Sequence, residues 1–398
     1  MISPASLQTP AIADEAPDQC TFPDKPYEGR PWSLQRVLLD ELWKQSTGKG
    51  VRVAVIDTGV DIKNRQLAPA VDKRYGRNLL PKDLKDANGN KVERGKEDGT
   101  TDSVGHGTKV AGIIAARPMK GTGFVGLAPD ATIIPIQQND AEGNGTTETL
   151  AAAIRYAVTN AKADVINISQ DTADAVKPTD ELRQAVNAAL AQEVVVVASA
   201  GNDGLGGNVK ETYPASYEGV LAVASSDRNN ERAAFSQSGE FVDVAAPGVD
   251  MISTVPGGGH CSDNGTSFSA PYVAGVAALI KAKHPTWTAR QINAQIMQTA
   301  ERSIPGHDRL VGWGVVDPVR ALTEDIRPIE SPEPIVNGAG KDDAPSAAQL
   351  PIGETAQERT TRLGTYVVVG SSVLAAVIAG GAVALRDARR RTRRGTRS

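Results

Sequence analysis

The chain has 398 residues, 40% of them hydrophobic, 23% charged and only 4% aromatic. That is enough for one large domain with appendages or for two domains, and it excludes a miniprotein, a collagen and a wholly disordered chain. The net charge of −4 hides a split, because Arg386–Ser398 carries seven Arg against Asp387 alone and leaves −10 on the rest. A mildly acidic body argues against nucleic-acid binding, and two cysteines, Cys20 and Cys261, are too few for a disulfide scaffold or a zinc site.

The first twenty residues, MISPASLQTPAIADEAPDQC, have neither the basic start nor the apolar stretch of a signal peptide. Between about Trp43 and Leu322, strand-like apolar runs alternate with helix-like ones. VRVAVID (51–57) reads as a strand, the charged and Gly-rich residues 76–104 as a long surface loop, and TKVAGIIAA (108–116) as a helix. ATIIPIQ (131–137), DVINIS (164–169), EVVVVASA (193–200) and VLAVASS (220–226) read as further strands. TLAAAIRYAV (149–158), ELRQAVNAAL (181–190), SAPYVAGVAALIKA (269–282) and TARQINAQIMQTA (288–300) read as helices. This alternation predicts an α/β fold, a mainly parallel sheet covered by helices on both faces, with functional residues at the carboxyl ends of the strands.

Residues 326–364, rich in Pro, Ala, Glu and Asp, predict a semi-extended linker. YVVVGSSVLAAVIAGGAVAL (366–385) has no charge in twenty residues, enough helix to cross a hydrocarbon core of about 30 Å. The arginines that follow predict a cytoplasmic tail, 386–398, and an extracytoplasmic body. That topology needs an export signal, so the chain reads as a mature form in which a start Met stands where a signal peptide ended. A tail-anchored protein with a cytosolic body is the alternative. Ala376 and Gly380 in the span permit close helix packing.

Four polar residues lie beside glycines at strand–helix junctions. Asp57 ends the first strand and is followed by Thr58 and Gly59. His106 stands in G-H-G-T (105–108), whose glycines permit close approach to the ring. The other histidines are bland: His260 in a Gly-rich loop, His284 at a helix end and His307 in a turn. Asn202 follows a strand in ASAGNDG (198–204), and Ser267 opens a helix in NGTSFSAP (264–271), where backbone N–H groups favour an oxyanion. Each alone is an ordinary turn or cap residue. Together they supply what nucleophilic acyl transfer needs: a nucleophile, a base, a carboxylate to orient the base, and oxyanion donors.

VAVIDTGVD, GHGTKVAGIIAA, GLAPDATIIPI, ASAGNDG and APGVDMISTVPGGGHCSDNGTSFSAPYVAGVAALI resemble the subtilisin-like serine proteases over about residues 45–322. The approach segment RPWSLQRVLLDELWKQSTGKGVRVAVIDTGVD, the stretch AARPMKGTGFVGLAPDA (115–131) and the ending of linker, span and basic tail narrow the resemblance to the mycosins, membrane-anchored subtilases of type VII secretion systems. The resemblance implies a subtilisin-like three-layer sandwich, a triad of Asp57, His106 and Ser267, and an oxyanion hole completed by Asn202. It further implies cleavage of exported protein substrates, association with membrane components of the secretion complex, which the protease helps to stabilise, and attachment to the lipid bilayer through one helix. No cofactor or metal is expected from the sequence. The implied organisation is an N-terminal extension (1–42), a protease domain (43–325), the linker, the span and the tail. A scaffold role in the secretion complex, with the protease site slow or occluded, is the alternative.

The sequence departs from many subtilases at Phe268-Ser269-Ala270-Pro271-Tyr272, a change expected to alter packing more than chemistry, and at Ser169-Gln170-Asp171-Thr172, where the family has Ser-Leu-Gly-Gly. Only about 50 residues precede the first strand, too few for a separate inhibitory propeptide domain. Gly121, Gly123 and Gly126 spell a dinucleotide fingerprint, but between a helix and a strand rather than the reverse. Asp86, Asn88, Asn90 and Glu97 have EF-hand spacing, but Lys91 occupies the position that needs Gly, so a solvated loop is the better reading. The absence of G-x-S-x-G argues against an α/β-hydrolase. Cys20 and Cys261 make at most one disulfide, which would pin the N-terminal extension near the segment leading to Ser267; two free thiols are the alternative.

Overall fold

A computed structural model describes residues 20–83, 94–140, 145–169, 179–206, 211–334 and 356–394. The chain divides into two compact units, Met1–Val336 and Asn337–Ser398.

In the first unit, helices α1 (Trp32–Gln35) and α2 (Leu39–Gln45) precede strand β1 (Arg52–Asp57). The chain continues through β2 (Arg77–Asn78), α3 (His106–Ala115), β3 (Thr132–Gln137), α4 (Thr147–Thr159), β4 (Val165–Ile168), α5 (Asp180–Leu190), β5 (Val195–Ser199), β6 (Leu221–Ser226) and β7 (Val244–Pro247). It closes with a hairpin, β8 (Met251–Thr254) and β9 (His260–Asp263), and helices α6 (Thr266–Lys283), α7 (Ala289–Thr299) and α8 (Pro318–Thr323).

Seven strands form one sheet in the order β2-β3-β1-β4-β5-β6-β7, every neighbouring pair parallel. Both faces of the sheet are buried, which is why its strands read as continuous apolar runs rather than alternating ones. Val53 and Val55 of β1 point into a core shared with Val110 and Ile114 of α3 and Val273 and Val276 of α6. Ala54 and Ile56, between them, point into a second core with Leu150 and Ile154 of α4 and Leu182 and Val186 of α5. This is the expected three-layer α/β sandwich. Several helix starts are fixed by side-chain caps: Thr146 and Thr288 form capping boxes with Thr149 and Gln291, and Asp317 accepts from the N–H groups of Val319 and Arg320.

Residues 76–104 are not wholly a surface loop. They contain β2, and Asn78, Thr100 and Asp102 are buried. Buried polar groups are tolerated there because they are bonded: Asn78 Nδ2 donates to Gln137 Oε1 at 2.8 Å and to the carbonyl of Lys96 at 3.2 Å. Asp86, Asn88 and Asn90 lie outside the described residues, while Glu97 is exposed and paired with Arg94.

The N-terminal arm is tied down. Cys20 and Cys261 are disulfide-bonded, across 241 residues of sequence. Asp24 N–H donates to the carbonyl of Gly258 (3.0 Å), and His260 N–H donates to the carbonyl of Lys25 (3.1 Å). His260, expected to be a bland loop residue, is buried on β9. Its Nδ1 accepts from Tyr27 N–H at 3.0 Å, which leaves the proton on Nε2 to donate to Gln66 Oε1 at 2.7 Å. Burial holds this imidazole well below its ordinary value, at about 4.

Replacing both cysteines with Ser should cost about 2–5 kcal/mol. The loss should appear as a lower melting temperature and as new chymotryptic cleavage after Tyr27, whose N–H is bonded to His260 in the intact arm. An unchanged melting temperature with an intact arm would mean that hydrogen bonds alone hold it.

In the second unit, α9 (Ala356–Arg394) is one continuous helix. It contains 28 residues, Arg359–Arg386, long and apolar enough to cross a membrane. The helix runs past both ends of the apolar stretch 366–385 because AQERTTRL and RDARRRTRR hold strong helix formers and no proline to stop it. The predicted linker is therefore helical from Ala356, while residues 335–355 lie outside the described set. Its first residues are bound to α7: Arg290 Nε and Gln291 Nε2 donate to Glu330 at 2.9 and 2.7 Å.

Candidate active site

Asp57 is the last residue of β1, and its side chain is 1% exposed. Its Oδ1 accepts from Thr58 N–H at 2.8 Å and lies 2.7 Å from His106 Nδ1. A buried carboxylate can only accept at that contact, so Nδ1 carries the proton and Nε2 presents a lone pair. Asp57 Oδ2 is buried without a hydrogen-bond partner.

His106 opens α3 because Asp102 caps it. The buried Asp102 carboxylate accepts from the N–H groups of Val104 (3.1 Å), Gly105 (2.7 Å) and Thr108 (2.8 Å), and from the hydroxyls of Thr108 (2.6 Å) and Thr58 (2.9 Å). A negative charge at a helix N-terminus is favourable. Sequence reasoning passed over Asp102; its signal was an acidic residue just before the helix that begins in G-H-G-T. Burial pushes this carboxyl above its ordinary range, opposed by the bonds from Thr108 and Gly105, while the like charge of Asp57 adds to the rise.

The two glycines flanking His106 serve packing. A Cβ at Gly105, where φ is +85°, would lie 2.4 Å from the Phe22 ring, and one at Gly107 would lie 2.1 Å from the carbonyl oxygen of Gly59. They let the N-terminal arm and the turn after β1 close around the histidine. Burial lowers the His106 imidazole, but the charge and hydrogen bond of Asp57, with Asp102 adding, outweigh it, so the net displacement is upward.

Ser267 is the second residue of α6 and is largely buried. Pro271, four residues on, removes the N–H that would otherwise bond the Ser267 carbonyl. Asn202, three residues past β5, meets the same helix end: its Oδ1 accepts from both the N–H and the hydroxyl of Thr266, each at 3.0 Å. Gly201 N–H donates to the Thr266 hydroxyl at 3.2 Å. With Oδ1 held there, the Asn202 amide turns its NH₂ group away from Thr266, and the Ser267 N–H is the next donor at that helix end. The Phe268 ring lies 5.4 Å from the His106 ring, which brings the Ser267 segment beside the imidazole. Phe268, treated in the sequence as a packing change, thus touches the candidate base.

The fold brings the four sequence-predicted residues to one edge: Asp57 and His106 in direct contact, Ser267 and Asn202 joined through Thr266, and the two pairs joined through Phe268. Of the substrate-strand segment, Ser169 is buried and accepts from Asn167 Nδ2 at 2.7 Å, while residues 170–172 lie outside the described set. A cavity of about 340 Å³ lies at the opposite, amino-terminal ends of β5 and β6, lined by Glu193, Gly219, Asp243 and Asn293. It is remote from this chemistry. Among the described residues, no group of three or more His, Cys, Asp or Glu is placed to hold a metal.

A model of the subtilase family matches residues 48–314. Subtilisin Savinase of Lederbergia lenta is 38% identical over 288 residues, spanning 72% of this chain and 96% of that protein. The M-protease of Shouchella clausii (strain KSM-K16) is 38% identical over the same length, spanning 72% and 68%. Among solved structures, the MycP3 protease from the type VII (ESX-3) secretion system superposes with a TM-score of 0.65 at 33% identity, covering 76% of this chain and 90% of that one. MycP1 from Mycobacterium smegmatis superposes with a TM-score of 0.62 at 31% identity, covering 80% and 91%.

Proposed function

The chain belongs to the subtilase family and is a subtilisin-like serine endopeptidase; on that premise we propose how its residues work and where it acts. The observation that carries the reading is the 2.7 Å contact of His106 with Asp57, beside a serine at the N-terminus of α6. Ser267 Oγ attacks the scissile carbonyl while His106 Nε2 takes its proton. The imidazolium formed is stabilised by the Asp57 carboxylate and then protonates the leaving amine. The tetrahedral oxyanion is held by Asn202 Nδ2 and the Ser267 N–H, aided by the positive end of α6. Water then releases the acyl group from Ser267 by the same steps.

The protease domain occupies residues 43–325, preceded by the extension 1–42 and followed by the linker. The apolar helix anchors it in the cell membrane, with the domain outside and the basic tail in the cytoplasm. The acyl donors are proteins exported by a type VII secretion system, and membrane components of that system are partners. Support comes from the apolar helix and from the MycP neighbours, which are proteases of such systems.

Labelling of the detergent-solubilised chain with a fluorophosphonate probe tests the reading. Wild type should label and Ser267→Ala should not. A folded wild type that stays unlabelled would replace the reading with a scaffold whose site is closed. Asn202→Ala should still label, but its turnover on a cleaved peptide should fall by about 10²–10³, the magnitude known for this donor in subtilisin. Unchanged turnover would remove Asn202 from the oxyanion site.

A further inference from the structure

Lys109 lies three residues after His106, one turn along α3, so the two side chains share a face of that helix. Its side chain is only 8% exposed, yet Nζ is 2.7 Å from Asp263 Oδ2. A lysine buried so deeply is held by its partner. Asp263 is the last residue of β9 and stands four residues before Ser267; its Oδ1 accepts from Asn264 N–H at 2.8 Å. The ammonium lies 6.0 Å from the centre of the Phe268 ring and 5.9 Å from that of Phe22. Phe268 in turn packs on the His106 ring at 5.4 Å. The backbone at Lys109 is also fastened, since Ser253 Oγ donates to its carbonyl at 2.6 Å.

The contacts form a closed loop, from Phe268 to Lys109, to Asp263, and along the chain through Ser267 back to Phe268, with His106 packed on the Phe268 ring. We propose that Lys109 and Asp263 are a positioning pair, which clamps the helix carrying His106 to the strand leading into Ser267 and holds Phe268 against the His106 ring. The inference rests on the protease reading given above.

The charges around His106 support it. Asp57 on β1 and Asp102 before α3 favour the imidazolium, while Lys109 on α3 opposes them. Asp263 on β9 neutralises Lys109. Asp24 on the arm and Asp61 after β1 are engaged elsewhere, with the N–H groups of Lys25 and Gly257. The pair therefore adds a cation near the base and cancels it from behind.

The test uses the full chain in detergent with ¹³C-labelled histidine. It contains only four histidines, so the His106 resonance is assigned by its loss in His106→Gln. Met is an unbranched, flexible side chain of similar length, so Lys109→Met is chosen to keep the packing and remove the charge. In that variant His106 should titrate roughly half a pH unit higher, and in Asp263→Asn, which leaves the cation uncancelled, lower by a similar amount. The double variant should titrate close to wild type. All three should react with the fluorophosphonate probe about tenfold more slowly, because the base is displaced from the nucleophile. Lys109→Arg should restore the rate.

An unchanged His106 titration in both single variants overturns the proposal. Opposite titration shifts without any loss of labelling rate overturn the positioning role. If Ser267→Ala labels as fast as wild type, the protease reading fails, and the histidine titrations still decide whether the pair acts on His106.

Discussion

Ser267→Ala should lower turnover of a cleaved peptide by about 10⁶, and adding His106→Ala should lower it no further; this magnitude and its non-additivity are those of subtilisin. The two groups perform one step. Without Oγ there is no acyl intermediate, and the proton that His106 would move no longer exists. Without the imidazole, a serine hydroxyl at neutral pH is too weak a nucleophile to attack. The structure places both within one packed unit, with His106 fixed by Asp57 at 2.7 Å and the Ser267 segment fixed beside it through Phe268 at 5.4 Å. Single-turnover and steady-state rates of the two single variants and the double variant measure the effect. A double variant slower by the product of the two single effects would mean that the residues act independently, and the proposed mechanism would be abandoned.

Asp57→Asn should lower turnover by about 10⁴ while leaving the fold intact, an effect known for the equivalent change in another serine protease. The cause is the tautomer. Asp57 forces the proton onto His106 Nδ1, whereas an amide can donate to that nitrogen and leave the proton on Nε2, where it blocks attack. The pH profile should change as well. Asp57 is the main cause of the upward displacement of His106 above its ordinary 6.5, against burial that lowers it. The base must be neutral to act, so the wild-type rate should fall as the pH drops through a value above 6.5. Removing the carboxylate removes the upward influence, so the remaining activity of Asp57→Asn should persist to lower pH. An acid limb at the same pH in both proteins would show that Asp57 does not set the charge of His106.

Much of this was legible in the sequence. The runs VRVAVID, ATIIPIQ and EVVVVASA are apolar at successive positions in their interiors because both sheet faces are covered, so the parallel α/β sheet could be read directly. Asp57, His106, Asn202 and Ser267 stood out because each lies where a strand ends or a helix begins, beside glycine. The long apolar segment near the C-terminus needed only its length and lack of charge to be recognised, since span length depends on helix rise alone.

Other features were hidden because short segments do not show what they pair with. The hairpin of β8 and β9 was missed: four-residue strands broken by three glycines have no periodicity to detect. Asp102 looked like one more charge in a polar loop, since its partners are hydroxyl and N–H groups that composition does not report. His260 looked bland because its partners, Tyr27 and Gln66, lie 233 and 194 residues away.

The sequence by itself determined the five central strands of the sheet, though not its edge strands β2 and β7, together with the apolar helix and the identity of the polar residues at the strand ends, because local periodicity, glycine placement and charge are properties of short segments. Only the tertiary structure decided that Asp57 meets His106, that Asn202 Oδ1 is held by Thr266, and that Lys109 is buried against Asp263. Hydrogen bonds and ion pairs depend on distances of about 3 Å between atoms, and packing across the sheet sets those distances between residues 49, 64 and 154 positions apart.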